Sequence, residues 1–164
     1  MRQRSLHIGK IVAFEADDRN AANLKRNHPD VDVINTGVWS EDTDLNFIFG
    51  ENGTSKILEL QEDKKDTICK MNVMGISVCK IDNCSECRDM TFLKMDIEGA
   101  ELYALRGAEK TILRNHPKLA ICIYHSDEDM VRIAEWIHEL LPEYRFAVRQ
   151  HSNSICETVL YARI

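Results

Sequence analysis

The run FLKMDIEGAELYALRGAEK, Phe92 to Lys110, decides the fold. Its opening residues are short and apolar and read as a buried strand, whereas Leu102, Leu105, Ala108 and Ile112 recur at helical spacing over 101–115. Gly99 lets the chain turn sharply between the two. Asp96 and Glu98 flank Ile97, so in extended backbone both point to one face. Two carboxylates that close repel, and one is driven toward its protonated form unless a cation or a ligand amine lies between them. Glu101 falls in the first helical turn, where the dipole favours negative charge, and helix-start electrostatics account for it.

Outward from this unit the same alternation repeats. Upstream, KIVAFE reads as a buried strand ending on Glu15, and Asp17 or Asp18 can cap a helix with Ala21, Leu24, Lys25 and His28 on one side. His28-Pro29 closes that helix, because proline disfavours a helical residue before it. VDVINTGVW, Val31 to Trp39, is the next strand, and DLNFIFG alternates like an antiparallel or edge strand. The polar stretch Glu51 to Lys70 reads as loop, and VMGISVCKID as a further strand. Downstream, LAICIYH is an almost wholly apolar strand ending on His125. Ser126 can cap the following helix, whose Met130, Ile133, Ala134, Ile137 and Leu141 repeat at helical spacing until Pro142. YRFAVRQ and ETVLYARI then form an antiparallel pair through HSNSI.

Strands alternating with helices predict a single domain over 1–164, an α/β fold with a doubly wound, mostly parallel sheet. Ligands bind such sheets outside the carboxyl ends of the strands. Glu15, Asp96, Glu98 and His125 all fall at those ends, which predicts a site on one rim. Glu15 can accept two hydrogen bonds from a ribose diol, or it can simply favour the next helix N-terminus. His125 can be a general base, a metal ligand or a helix-flanking surface residue.

Bulk properties narrow the classes. The chain has 164 residues, 44% hydrophobic, and a formal net charge of -6, enough apolar content for a core and no basic stripe for nucleic acid. No apolar run approaches the length of a membrane span, and no signal-peptide pattern opens the chain, so a cytoplasmic protein is the expectation. Six cysteines occur; reduced thiols are expected, since Cys122 lies in the strand pattern ICIY. Cys69, Cys79, Cys84 and Cys87 hold one C-x2-C pair, only half of a paired zinc knuckle, so no metal is assigned to them. P-loop, zincin, serine-hydrolase and GxGxxG motifs are absent from the sequence.

The segments FLKMDIEGAELYALRGAEKTI, HPKLAICIYHSDEDM, YRFAVRQHS and ETVLYA resemble the FkbM-type family of S-adenosylmethionine-dependent methyltransferases. KIVAFEAD resembles that family's second strand, TGVWSEDTDLNF its third strand and hairpin, and ISVCKIDN the segment before its fourth strand. The resemblance runs from about Gly9 to the C-terminus and implies a class I, Rossmann-like sheet of order 3-2-1-4-5-7-6 with the seventh strand antiparallel. It implies methyl transfer from S-adenosylmethionine to a hydroxyl of a sugar, glycan or natural product. Glu15 would hold the cofactor ribose, Val38 and Trp39 would lie near the adenine, Asp96 and Glu98 would face the methionine end and acceptor, and His125 the acceptor side. Asp96 and His125 are the candidates for the base that takes the hydroxyl proton.

One departure stands out. The family begins with a strand and a glycine-rich turn, but here MRQRSLHIG precedes the second strand and holds only Gly9. The missing strand would lie between those of Glu15 and Asp96, so an N-terminally truncated chain is expected. The competing readings are a non-catalytic methyltransferase-like binding module and a small zinc-binding module.

Overall fold

The computed structural model describes residues 9–49, 55–57, 73–153 and 156–164. The described strands are β1 (Ile11–Phe14), β2 (Val31–Ile34), β3 (Gly37–Val38), β4 (Thr43–Phe49), β5 (Ser55–Ile57), β6 (Val73–Cys79), β7 (Phe92–Met95), β8 (Lys118–Cys122), β9 (Arg145–Gln150) and β10 (Thr158–Arg163). The helices are α1 (Asp18–Asn27), α2 (Glu101–Arg106), α3 (Glu109–Asn115) and α4 (Asp129–Leu140). Apart from Ser55–Ile57, the stretch Glu51–Lys70 expected to be loop, with Cys69 in it, lies outside the described residues.

The α/β class holds, but the single doubly wound parallel sheet does not. β1 and β2 form a parallel pair; β7-β8-β10-β9 and β3-β6-β4-β5 are separate mixed sheets. β7 and β8 run parallel, while β10 is antiparallel to both β8 and β9. The order β7-β8-β10-β9 follows the 4-5-7-6 part of the order the resemblance implies, whereas β1 pairs with Val31–Ile34 and the segment likened to the third strand puts Gly37–Val38 beside β6. Among the described residues no ladder joins β1 to β7. With a single ladder partner, β1 is half-buried rather than buried, and Ile11 is exposed.

Three elements depart from the sequence reading. Val31–Trp39 is not one strand: the chain bends after Ile34, and β3 pairs parallel with β6 in another sheet. β4 is antiparallel as expected but sits inside its sheet, between β6 and β5. The helix expected over 101–115 splits into α2 and α3 at Gly107-Ala108. The split has two causes remote in sequence. A Cβ built on Gly107 would lie 1.9 Å from the Trp39 carbonyl oxygen, so the chain needs glycine to pass there. Asp82 then caps α3, its carboxylate accepting from Lys110 N at 3.1 Å and Thr111 N at 2.8 Å.

α1 begins as the sequence indicates, with the Asp17 side chain accepting from Asn20 N at 2.8 Å. α4 starts later than expected: Ser126 Oγ accepts from Glu128 N, closing a turn before the helix instead of capping it. Ile133, Ile137 and Leu141 are buried, but Met130 is exposed. The main core joins Leu102, Leu105 and Ile112 of α2 and α3 to Leu119 and Ile121 of β8 and to Ile133 and Ile137 of α4, with Val12 and Phe14 of β1 packed against it. Each such side chain contributes about 1.5–3 kcal/mol by leaving water. The core therefore holds β1 against the helices although, among the described residues, no strand joins it to β7. Among the described residues no helix is long and apolar enough to cross a membrane. Cys79, Cys84, Cys87, Cys122 and Cys156 are free thiols.

Gly107→Ala should destabilise the fold by about 3 kcal/mol, because backbone rather than a flexible side-chain tip blocks the new methyl. Gly9→Ala, with open space around it, should stay within about 0.5 kcal/mol. Urea unfolding midpoints compare the two, and equal effects would contradict the close approach.

Candidate functional site

β7 and β8 are parallel neighbours, so their carboxyl ends open on the same rim. Asp96 follows the end of β7, and His125 lies beyond the end of β8. The turn after β7 is not extended, as the shared face of Asp96 and Glu98 would require. Glu98 has φ +57° and Gly99 φ +92°, both left-handed. Asp96 and Glu98 nevertheless both approach His125, brought there by the turn rather than by strand alternation.

Glu101 holds that turn, a structural role beyond the helix-start electrostatics expected of it. It is fully buried, with Oε1 accepting from Ile97 N at 2.8 Å and Oε2 from Gly99 N at 2.9 Å. The carboxylate thus closes the loop from inside while helix α2 starts on the same residue. Burial pushes its carboxyl above the usual range, opposed by the Ile97 and Glu101 N–H groups and by His125.

His125 has only 9% of its side chain exposed and is ringed by acids. Nδ1 lies 3.0 Å from Glu101 Oε1, and Nε2 lies 3.6 Å from Asp96 Oδ1 and 3.8 Å from Glu98 Oε2. These are ion-pair distances, yet among the described residues neither ring nitrogen has a hydrogen-bond partner, so the Glu101 oxygen sits near Nδ1 but out of line with it. Asp129, at the start of α4, is a further acid whose charge interacts with that of His125, and its Oδ2 is buried without a partner among the described residues. Burial raises the Asp129 carboxyl.

Asp96 is anchored from several sides. Tyr124 Oη donates to its Oδ1 at 3.0 Å, and Lys94 Nζ lies 3.6 Å from Oδ2. Desolvation works to raise its carboxyl, but hydrogen bonds from Cys122 and Tyr124 and the charges of Lys94 and His125 outweigh it and hold the carboxyl below its usual value. Burial and the Asp96 carboxylate push the Cys122 thiol up to about 12, so it stays protonated.

The remaining candidates are Glu15, Val38 and Trp39, on β3 and just beyond the ends of β1 and β3. Glu15 follows β1; its Oε1 accepts from Asp17 N at 2.8 Å, so one oxygen serves its own turn. Gly37, in β3, faces Ala16, which brings that turn beside Val38 and Trp39. Val38 is half-buried, and Trp39 N donates to Cys79 O at 2.9 Å. The Trp39 indole stacks on Tyr103 of α2 with centroids 4.0 Å apart. Among the described residues no hydrogen bond or ion pair joins Glu15 to Asp96, Glu98 or His125. A surface cavity of about 540 Å³ lies elsewhere, lined by Lys25, Pro29, Val31, Ile34 and Glu86 among others, and contains none of these residues.

Sequence reasoning missed Glu101, Tyr124 and Asp129. The signal for Glu101 was its spacing after Gly99, which lets its carboxylate fold back onto N–H groups that precede it.

The family model described as the Methyltransferase FkbM domain matches residues 2–147. The crystal structure of an FkbM methyltransferase from Methylobacillus flagellatus KT is similar, with 25% sequence identity and a TM-score of 0.67. That similarity covers 93% of this chain but 36% of the Methylobacillus chain, so the chain spans about a third of that protein's length. No curated protein matches the chain.

Glu101→Ala removes the acceptor of two backbone N–H groups and should cost about 3 kcal/mol in urea unfolding. Glu98→Gly should do the opposite, gaining about 1 kcal/mol by freeing a left-handed position from its side chain. A loss of stability in the glycine variant would mean that the Glu98 carboxylate, and not Glu101 alone, holds the turn.

Proposed function

We propose that this chain, which belongs to the FkbM methyltransferase family, transfers a methyl group from S-adenosylmethionine to a hydroxyl of a sugar, glycan or other small molecule. The observation that carries the reading is the half-open acid–imidazole cluster at the carboxyl ends of two parallel strands. Asp96 Oδ1 and His125 Nε2 lie 3.6 Å apart, so a hydroxyl seated at the Asp96 carboxylate can give its proton to it directly or, through that carboxylate, to the adjacent imidazole.

The residues fit the donor in chemical type. Glu15 spends Oε1 on its own turn and keeps Oε2 to accept from a ribose hydroxyl. Trp39 and Tyr103 offer an aromatic wall next to Val38 for an adenine ring. The carboxylates of Asp96 and Glu98 favour a positively charged group nearby. When bound, S-adenosylmethionine supplies a methyl group already activated on a sulfonium.

The chain's own tasks are then alignment and proton removal. Holding the hydroxyl in line with the methyl supplies much of the acceleration. Proton uptake by Asp96 or His125 adds about 10²–10⁴-fold. Glu101 acts behind His125 as a positioning residue, its buried carboxylate against Nδ1.

A second reading has its own observation. Among the described residues β1 and β7 each pair along one edge, with β2 and β8. Backbone edges left open in this way suit the addition of a strand from a binding partner, without catalysis.

Calorimetric titration with S-adenosylmethionine separates the readings. The enzyme reading expects saturable binding with Kd on the order of 10 μM, weakened about tenfold by Glu15→Gln. Asp96→Asn should still bind the donor saturably, though more weakly for the lost charge, and at saturating donor lose about 10²-fold in transfer of a labelled methyl group. Absence of binding at millimolar donor would contradict the enzyme reading and leave the strand-accepting module.

A further inference from the structure

We infer that Asp96, Glu101 and His125 together form a site for one first-row divalent cation. Each offers one ligand atom, and these atoms all lie within 4.8 Å of one another. Ligand atoms sharing a cation at about 2.0–2.2 Å lie no more than about 4.4 Å apart. The upper separation in this cluster is therefore close to what one shared cation requires.

An acidic cluster alone would carry no such inference. The imidazole is the independent observation: only 9% of the His125 side chain is exposed, and among the described residues neither ring nitrogen has a hydrogen-bond partner. Asp129 Oδ2, on a carboxylate that feels the charge of His125, is a second buried orphan among them. Buried polar atoms without partners are uncommon, and an ion is one of the few things that accounts for several at one place. Charge points the same way. Asp96, Glu98 and Glu101 all stand within ion-pair distance of His125, and the lysine in contact with them, Lys94, meets only Asp96.

The donor set selects the ion. One imidazole with carboxylates suits Zn²⁺ or Mn²⁺, whereas Ca²⁺ takes more oxygens than are gathered here. Cys122, next to Asp96, is not among the residues whose ligand atoms gather here. Glu101 keeps its loop hydrogen bonds, since a carboxylate oxygen accepts from a backbone N–H and still has a lone pair for a cation.

Cation binding at this place goes beyond methyl transfer and stands without it. Within that reading, a cation would bind a hydroxyl oxygen and acidify it, so Asp96 and His125 would act through the cation instead of taking the proton directly.

The test uses the full chain, stripped of metal, titrated calorimetrically with Zn²⁺ and separately with Mn²⁺, with neither donor nor acceptor present. One cation per chain is expected, bound at least about tenfold more weakly by His125→Ala and by Asp96→Asn. Cys84→Ser should leave Mn²⁺ uptake unchanged, which distinguishes this site from the cysteines. Should a variant fold poorly, NMR of the native chain decides: bound Mn²⁺ must broaden His125 and Tyr124 resonances first. No uptake of either ion, uptake that survives His125→Ala in a folded variant, or broadening centred elsewhere would overturn the inference.

Discussion

The rim depends on one buried carboxylate. Glu101 sits in the core with both oxygens turned back onto the N–H groups of Ile97 and Gly99. Removing a carboxylate from water costs several kcal/mol, and charge-assisted hydrogen bonds of this kind offset much of it. What the arrangement secures is a turn that the chain would not otherwise hold, with Glu98 in the left-handed region just before Gly99. That turn aims Asp96 and Glu98 at His125, and the same carboxylate faces the ring's other nitrogen. Strain at such a place is characteristic of sites where geometry matters more than stability.

The sheets around this turn are less continuous than an alternating βα pattern implies. β7, β8, β10 and β9 make one mixed sheet over the core, and β1 with β2 make a separate parallel pair. Helices bridge the two, since Val12 and Phe14 pack into the same apolar cluster as Leu105 and Ile112. Trp39 serves this bridging twice. Its carbonyl meets the backbone at Gly107, and its ring stacks on Tyr103, fixing α2 against the end of β3. The aromatic wall and the acid cluster are thereby both set by one short helix.

Much of this was legible in the chain itself. Strand tips carrying Glu15, Asp96 and His125 followed from apolar runs ending in polar residues, and the closing antiparallel pair from two runs joined by HSNSI. What was not legible depended on partners distant in sequence. Helix periodicity ran unbroken across Gly107, because nothing local announces that Trp39 and Asp82 meet the backbone there. Val31–Trp39 read as one strand because apolar alternation does not reveal a change of sheet at Asn35-Thr36. Glu101 read as helix-start electrostatics, since a first-turn position accounts for an acid by itself; its spacing after Gly99 allowed the fold back onto Ile97 N and Gly99 N, but its contact with His125, beyond the end of β8, has no local pattern.

Amide hydrogen exchange at Ile97 and Gly99 tests the central claim most directly, because both amides lie in a turn outside any strand ladder or helix. If the buried Glu101 carboxylate holds the turn, both exchange slowly in the native chain and speed up together in Glu101→Gln, while β8 amides such as Ile121 keep their protection. Fast exchange at Ile97 and Gly99 in the native chain, at rates typical of open loops, would contradict that role for Glu101.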